Sequence, residues 1–287
     1  MYAILLDMKE KIEMAVYSQI SKTEDDNLKM AELPYKVLSA GLSDIGQVRQ
    51  NNEDVWAEEP SIGLYVLADG MGGHQAGEIA ARETATSLCR ALKRKNILSQ
   101  NYSLSDLHDL LKRAIIHVNG LVYKMGRSKT ELRGMGTTLC CLLFHPKGLV
   151  FAHVGDSRIY RMRAGKFEQL TKDHSLLRDL VEQGKLNDNQ ATDFIYKNII
   201  TKAIGTESKV DPTVKQCNVM MEDTYLMCSD GLTDLIAAKE IGEILSNSSS
   251  HEAAIKELIS RANAEGGRDN ITVVIAHIQG LDVSGSK

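Results

Sequence analysis

Three apolar runs in this chain stop at an aspartate. LYVLA ends at Asp69, LVFAHVG at Asp156 and TYLMCS at Asp230, and a fourth run, NITVVIAHI, begins directly after Asp269. Glu53 and Asp54 stand in RQNNEDVWA, ahead of a further strand-like stretch. Acids are depleted inside sheets. At strand ends they can point together into one cleft while the strands hold them rigid. A lone Asp-Gly reads most simply as a hairpin turn. Asp69-Gly70 and Asp230-Gly231, however, both lead into helical pattern instead of a partner strand. Clustered carboxylates repel one another unless something positive neutralises them. Oxygen ligands without Cys or paired His select hard cations, Mg²⁺ or Mn²⁺ ahead of Ca²⁺. Two such ions sharing one carboxylate would make a nucleophile of water at neutral pH and clamp a phosphoryl group.

The remaining pattern sets the frame for those acids. Strand signals fall at 41–46, 63–68, 137–144, 148–154, 157–162, 166–169, 224–228 and 270–278, with hairpin turns at 146–148 and 164–165. Helical spacing covers 76–95 and 105–125, the latter with Ser105 as N-cap, and two further helices near 238–246 and 252–265. Asp173-His174-Ser175 caps a short helix that stops at Gly184, and 185–212 is polar and irregular. Clustered strands with paired helices indicate an α+β sheet-on-sheet sandwich covered by helices, not a βαβ alternation. Residues 1–40, with the charged break SKTEDDNLK, form a helix or loose arm; the domain runs over 41–280 and a short tail over 281–287.

Composition narrows the function. At 287 residues, 43% hydrophobic and 25% charged, the chain can bury a sizeable core. A net charge of −4 argues against general nucleic-acid binding, which wants a basic face. No apolar stretch approaches the ~18 residues of a membrane helix, and MYAILLDMKEKIEM lacks the basic start of a signal peptide. The five cysteines, Cys89, Cys140, Cys141, Cys217 and Cys228, contain no C-x-x-C pair and read as buried thiols of a cytoplasmic protein. Rival catalytic plans lack their residues: there is no C-x₅-R, D-x-D-x-[TV], G-x-S-x-G, H-E-x-x-H or Walker A pattern. LYVLADGMGGHQAGE nearly meets the dinucleotide fingerprint, but Gln75 stands at the third glycine position.

The motif set resembles the metal-dependent 2C-type protein serine/threonine phosphatases in their bacterial form. The resemblance covers about 41–278 and rests on RQNNED at 49–54, ADGMGGHQAGE at 68–78, GMGTTL at 134–139, HVGDSRIYR at 153–161, LTKDHS at 170–175, CSDGLTD at 228–234 and GGRDNIT at 266–272, all in order. It implies a four-layer αββα sandwich with a dinuclear Mn²⁺ or Mg²⁺ centre between two antiparallel sheets. By position, Asp69 resembles the carboxylate bridging both ions. Glu53 and the Gly70 carbonyl resemble ligands of one ion, and Asp230 and Asp269 of the other. Asp54 matches the adjacent acid, acting directly or through water. Asp156 and Asp234 resemble the residues holding a third, weaker ion. Arg49 resembles the arginine that grips the substrate phosphate, a task that suits a bidentate guanidinium fork.

The implied reaction is hydrolysis of phosphoserine and phosphothreonine in proteins by metal-activated water, with no phosphoenzyme, opposing serine/threonine kinases in the cytoplasm; a monomer is the default. Eukaryotic members carry a histidine after the Asp-Gly as proposed general acid. Here Met71 stands there, leaving His74 or a water on the metals to protonate the leaving group. The irregular 185–212 corresponds to a flap beside the site, with Phe194 and Tyr196 where relatives often have His-Pro; it is expected to be mobile or to face substrate. Trp56 reads as core, and Thr138 and Ser157 as structural. Two other functions compete: a degenerate, non-catalytic phosphoprotein-binding module, and a metal phosphohydrolase of small phosphoesters. Retention of every acid and of Arg49 weighs against the first.

Overall fold

A strand that is apolar at consecutive positions must be covered on both faces, and LYVL at 64–67 is such a strand. The computed structural model describes residues 32–72, 76–95, 97–98, 101–186, 194, 196 and 199–281. In chain order the elements are β1 (Tyr35–Asp44), β2 (Asp54–Glu59), β3 (Leu64–Met71), α1 (Ala76–Lys93), α2 (Leu104–Ser128), β4 (Gly136–Thr137), β5 (Leu139–His145), β6 (Gly148–Val154), β7 (Arg158–Arg163), β8 (Lys166–Gln169), α3 (Leu176–Glu182), β9 (Thr213–Cys217), β10 (Thr224–Cys228), α4 (Asp230–Thr233), α5 (Ala238–Asn247), α6 (His251–Ala264) and β11 (Ile271–Gly280).

They build two antiparallel sheets, ordered β1-β11-β10-β7-β8 and β2-β3-β5-β6-β9, with β4 paired to β3. Side chains alternate across each central strand and divide between separate cores. From β3, Leu64 and Val66 meet Leu88 of α1 and Leu111 of α2, while Tyr65 and Leu67 turn to the space between the sheets. From β10, Tyr225 and Met227 face that same space, and Leu226 and Cys228 face Ile241 of α5 and Leu258 of α6. The layers are therefore helices, sheet, sheet, helices, as the αββα expectation requires. The inter-sheet core is knit by Phe144, whose ring meets Tyr65 and Tyr225 edge-on at centroid distances of 5.7 and 5.6 Å; each such pair adds about 1 kcal/mol beyond burial. Adjacent Cys140 and Cys141 point into different cores, and all five cysteines are free, with Cys89 and Cys217 only partly buried. Among the described residues no helix is long and apolar enough to cross a membrane.

Several boundaries differ from the sequence expectation. The first strand begins at Tyr35, not Gly41, and pairs with β11 along its whole length. The arm expected over 1–40 thus ends in sheet; residues 1–31 and 282–287 lie outside the described residues. β3 runs through Asp69 to Met71 because Gly70 and Met71 pair with Thr137 and Gly136. The single strand expected over 137–144 is therefore two, β4 and β5. The second helix is capped by Ser103 in a reciprocal capping box with Asp106, not by Ser105. β9, an edge strand with Lys215 and Gln216 exposed, lies just beyond the irregular 185–212, where the sequence pattern marked no strand. Trp56 is half-buried, its ring filling the space over Gly41.

Candidate active site

The sheets bring the acids together. β2 and β3 pair with Asp54 directly opposite Asp69. Asp156 occupies the turn after β6, Asp230 opens α4 after β10, and Asp269 precedes β11 by one residue. Glu53, Asp69, Asp156, Asp230 and Asp269 line one cleft of about 460 Å³, and Arg49 is the one cationic side chain among its described lining residues. Asp54 lies behind this surface, 7% exposed. Asp234 is exposed one helical turn beyond Asp230, its N–H donating to the Asp230 carbonyl at 2.8 Å.

A set of neutral polar residues holds these acids in place. The hydroxyls of Ser229 and Thr272 donate to Asp54 Oδ2 at 2.8 and 2.7 Å. Asn270 accepts the Glu53 N–H at 2.8 Å, and its amide donates to the carbonyls of Ile45 and Asn51, stitching the loop before β2 to the start of β11. The Asp69 N–H donates to Thr138 Oγ1 at 3.0 Å. Thr138 also lines the cleft. The turn carrying Asp156 is gripped by His174, whose N–H donates to the Gly155 carbonyl at 2.9 Å and whose Nδ1 accepts the Gly155 N–H at 3.2 Å.

Burial sets the charge state. It pushes Asp54 up to about 6, against the hydroxyls of Thr272 and Ser229 that pull it down. Burial, and then the like charge of Asp173, pushes Asp156 up to about 6. Asp69 is raised well above the ordinary range by burial and then by Asp54, Asp230 by burial and then by Asp156, and Glu53 is raised by burial. Burial pulls Arg49 down, but Asp269 outweighs it and raises the guanidinium; Arg49 Nη2 donates to Asp269 Oδ2 at 2.6 Å. The Arg49 side chain is 54% exposed, and such pairs contribute at most about 1 kcal/mol, so a phosphate dianion can compete for it.

This donor set fits hydrated hard cations. Asp54 Oδ1 is buried without a hydrogen-bond partner, and the described cleft lining offers five carboxylates and neither His nor Cys. Among the described residues no three His, Cys, Asp or Glu side chains form a ready-made metal cage. Mg²⁺ keeps several waters and needs only one or two carboxylates, and Mn²⁺ takes the same oxygen donors.

The cleft thus unites Arg49, Glu53, Asp69, Gly70, Asp156, Asp230 and Asp269, and keeps Asp54 and Asp234 at its margins. His74 lies outside the described residues, as does most of 187–198. From the flap, Ile200 lines the cleft, and the Phe194 and Tyr196 rings meet edge-on at 5.9 Å. Sequence reasoning missed Asn270, Ser229 and Thr272 and took Thr138 for a purely structural residue. Their position inside the acidic motifs was the available signal.

Known proteins share this fold. The family model for protein phosphatase 2C matches residues 44–275. A putative protein phosphatase 2C-type from Streptococcus pyogenes is 38% identical over 244 residues, covering 84% of this chain and 97% of its own. The serine/threonine phosphatase of S. agalactiae superposes with a TM-score of 0.76 at 36% identity, over 84% of this chain and 99% of its own. The catalytic domain of the phosphatase PstP, solved in complex with two manganese ions, matches at 35% identity and a TM-score of 0.72, over 85% of this chain and 98% of its own. With the family model spanning most of the sequence and two antiparallel sheets converging five carboxylates on one cleft, this chain belongs to the protein phosphatase 2C family.

Proposed function

We propose that this protein hydrolyses phosphoserine and phosphothreonine in proteins with two Mn²⁺ or Mg²⁺ ions, opposing serine/threonine kinases in the cytoplasm. The observation that carries this reading is the cleft itself: five carboxylates and one arginine, with the buried acids individually disfavoured as ions. Asp69 would serve both ions, Glu53 and the Gly70 carbonyl one of them, and Asp230 and Asp269 the other. Asp54 would support them from behind, and Asp156 with Asp234 would hold a third, weaker ion. When bound, such ions acidify water and polarise phosphoryl oxygens.

The chain's own residues do the rest. Arg49 leaves its loose pair with Asp269 to grip the substrate phosphate and to stabilise the charge that spreads over the equatorial oxygens. Asn270 orients Glu53, and Ser229 and Thr272 hold Asp54. Met71 lines the cleft and cannot give a proton, so the leaving alkoxide takes one from solvent or from His74.

Hydrolysis of a phosphothreonine peptide with Mn²⁺, and after chelation, tests the reading. Turnover is expected only with metal; metal-independent turnover would overturn it, and cleavage of an aryl phosphate without any peptide turnover would favour a small-molecule phosphohydrolase. Arg49→Ala is expected to raise KM for the peptide about tenfold or more, one charge-assisted pair being worth about 1.5–3 kcal/mol, with a smaller loss in kcat. An unchanged KM would remove Arg49 from the phosphate site.

A further inference from the structure

The two-residue strand β4 has neighbours on both sides. On one side Thr137 pairs with Gly70. On the other it forms an antiparallel bridge to Ile204, with Thr137 N–H donating to the Ile204 carbonyl at 3.0 Å and Ile204 N–H returning to the Thr137 carbonyl at 2.8 Å. Ile204 lies in the irregular stretch between α3 and β9. Just beyond it, wholly buried Asn119 of α2 accepts the Gly205 N–H at 2.8 Å and donates to the Glu207 carbonyl at 3.0 Å.

Thr137 is itself completely buried, and its hydroxyl donates to the Asp69 carbonyl at 2.8 Å, with the Thr138 carbonyl 3.0 Å away as a second acceptor. Thr138 completes the hold. Its N–H donates to the same Asp69 carbonyl at 2.8 Å, and its Oγ1 accepts the Asp69 N–H at 3.0 Å. The Thr138 hydroxyl also shares a hydrogen bond with Ser157 Oγ, 2.7 Å away. The main-chain N–H and carbonyl of Asp69 are therefore both held by two consecutive threonines. The side chain of Asp69 rides on this main chain, and the side chain it meets across the β2–β3 ladder is Asp54, itself a buried acid.

We propose that Thr137 is a positioning residue. Its hydroxyl fixes the main chain of Asp69 and Gly70, while its backbone fixes the chain at Ile204, four residues after Ile200 of the cleft lining, so that the cleft floor and part of its wall are tied to one residue. The proposal rests on the reading of Asp69 and Gly70 as cation ligands. Residues that orient metal ligands without touching the metal are commonly worth about 10–100-fold in affinity or activity. Thr137→Val isolates the hydroxyl: valine keeps the branched shape and both main-chain bonds to Ile204 and removes only the donor. Thr137→Ser restores the donor and gives up the methyl.

The experiment is Mn²⁺ titration by calorimetry on the full chain, with kcat and KM for an aryl phosphate measured alongside. Thr137→Val is expected to weaken Mn²⁺ binding about tenfold or more and to shift the Mn²⁺ concentration for half-maximal turnover by the same factor. Thr137→Ser is expected to bind within about threefold of wild type. A residue needed only for packing would give the reverse, since serine leaves the larger void. Wild-type affinity in Thr137→Val, or equal weakening in valine and serine, overturns the proposal. If the valine variant fails to fold, Thr137→Ser against Thr137→Ala carries the same test: the two differ by the hydroxyl at similar volume, and equal Mn²⁺ affinity in both overturns the proposal. A wild-type chain that does not bind Mn²⁺ overturns both this proposal and the reading of the cleft.

Discussion

Asp69→Asn is expected to abolish metal-dependent turnover and, in the same protein, to raise the melting temperature measured in chelator. The activity loss should reach at least about 10³-fold, equivalent to about 4 kcal/mol of transition-state stabilisation, because an amide offers one neutral oxygen where two cations need a shared anion. The stability gain follows from the charge balance of the empty-handed protein. Asp69 stands opposite Asp54 in the β2–β3 ladder, and burial together with Asp54, Asp230 and Asp156 raises its pKa. Like charges facing each other across strands oppose pairing. Removing one of them relieves its neighbours as well.

The sign with pH is fixed by the same shifts. Asp54 and Asp156 are pushed up to about 6, so their protonated forms favour the fold. That contribution is full below the ordinary carboxylate range and is lost as pH rises through 6. A rise of this size is worth roughly 3 kcal/mol per carboxyl. Chelated wild type should therefore melt lower at pH 8 than at pH 5, by about 5 °C or more. Mn²⁺ should reverse the loss, and Asp69→Asn should blunt it. Calorimetric melting in chelator at the two pH values checks this. A lower melting temperature for Asp69→Asn at pH 8 would mean that Asp69 is held by hydrogen bonding and not opposed by its neighbours.

The acids of this cleft were legible because they interrupt apolar runs, which is a local signal. The reason they interrupt them was only partly legible. Asp156, Asp230 and Asp269 do sit at strand ends. Asp69 and Asp54 lie within paired strands, where propensity disfavours an acid and tertiary context has overridden it. The groups that hold the acids were hidden for a different reason. Asp69 meets Thr138 across 69 residues of sequence, and Glu53 meets Asn270 across 217. No window of helical or strand period spans such distances. The central strands of both sheets were readable from unbroken apolar runs. β9 was not, because an edge strand with Lys215 and Gln216 exposed has no such run. Ser103 was readable in principle, since Ser103 and Asp106 stand at capping-box spacing, but Ser105 offered itself as an equally good cap by composition.

The glycines of ADGMGGHQAGE read as clearance around a cation and the Gly70 carbonyl; the structure gives two of them a more specific task, which a paired substitution exposes. A Cβ on Gly77, near the start of α1, would fall on Glu53 Oε2 and within 2.8 Å of the Gly70 carbonyl carbon. A Cβ on Gly70 would come within 2.6 Å of the Glu53 carbonyl oxygen. Helix, ligand strand and the Glu53 carboxylate thus meet at backbone distance. Gly77→Ala must displace Glu53 or push α1 outward, and overpacking of this kind costs about 1–3 kcal/mol. Alanine returns up to about 1 kcal/mol of helix propensity, so the melting temperature should fall by only a few degrees. Turnover at limiting Mn²⁺ should fall far more, about tenfold or beyond, since the displaced group is the carboxylate itself. Gly120→Ala supplies the contrast. Gly120 lies inside α2 with open space where its Cβ would stand, so the same substitution should stabilise by up to about 1 kcal/mol and leave turnover unchanged. Melting and Mn²⁺-dependent kinetics on the two variants separate the effects. Wild-type Mn²⁺ dependence in Gly77→Ala would show that Glu53 can move aside without consequence, and Glu53 would then have no place among the residues that hold the ion.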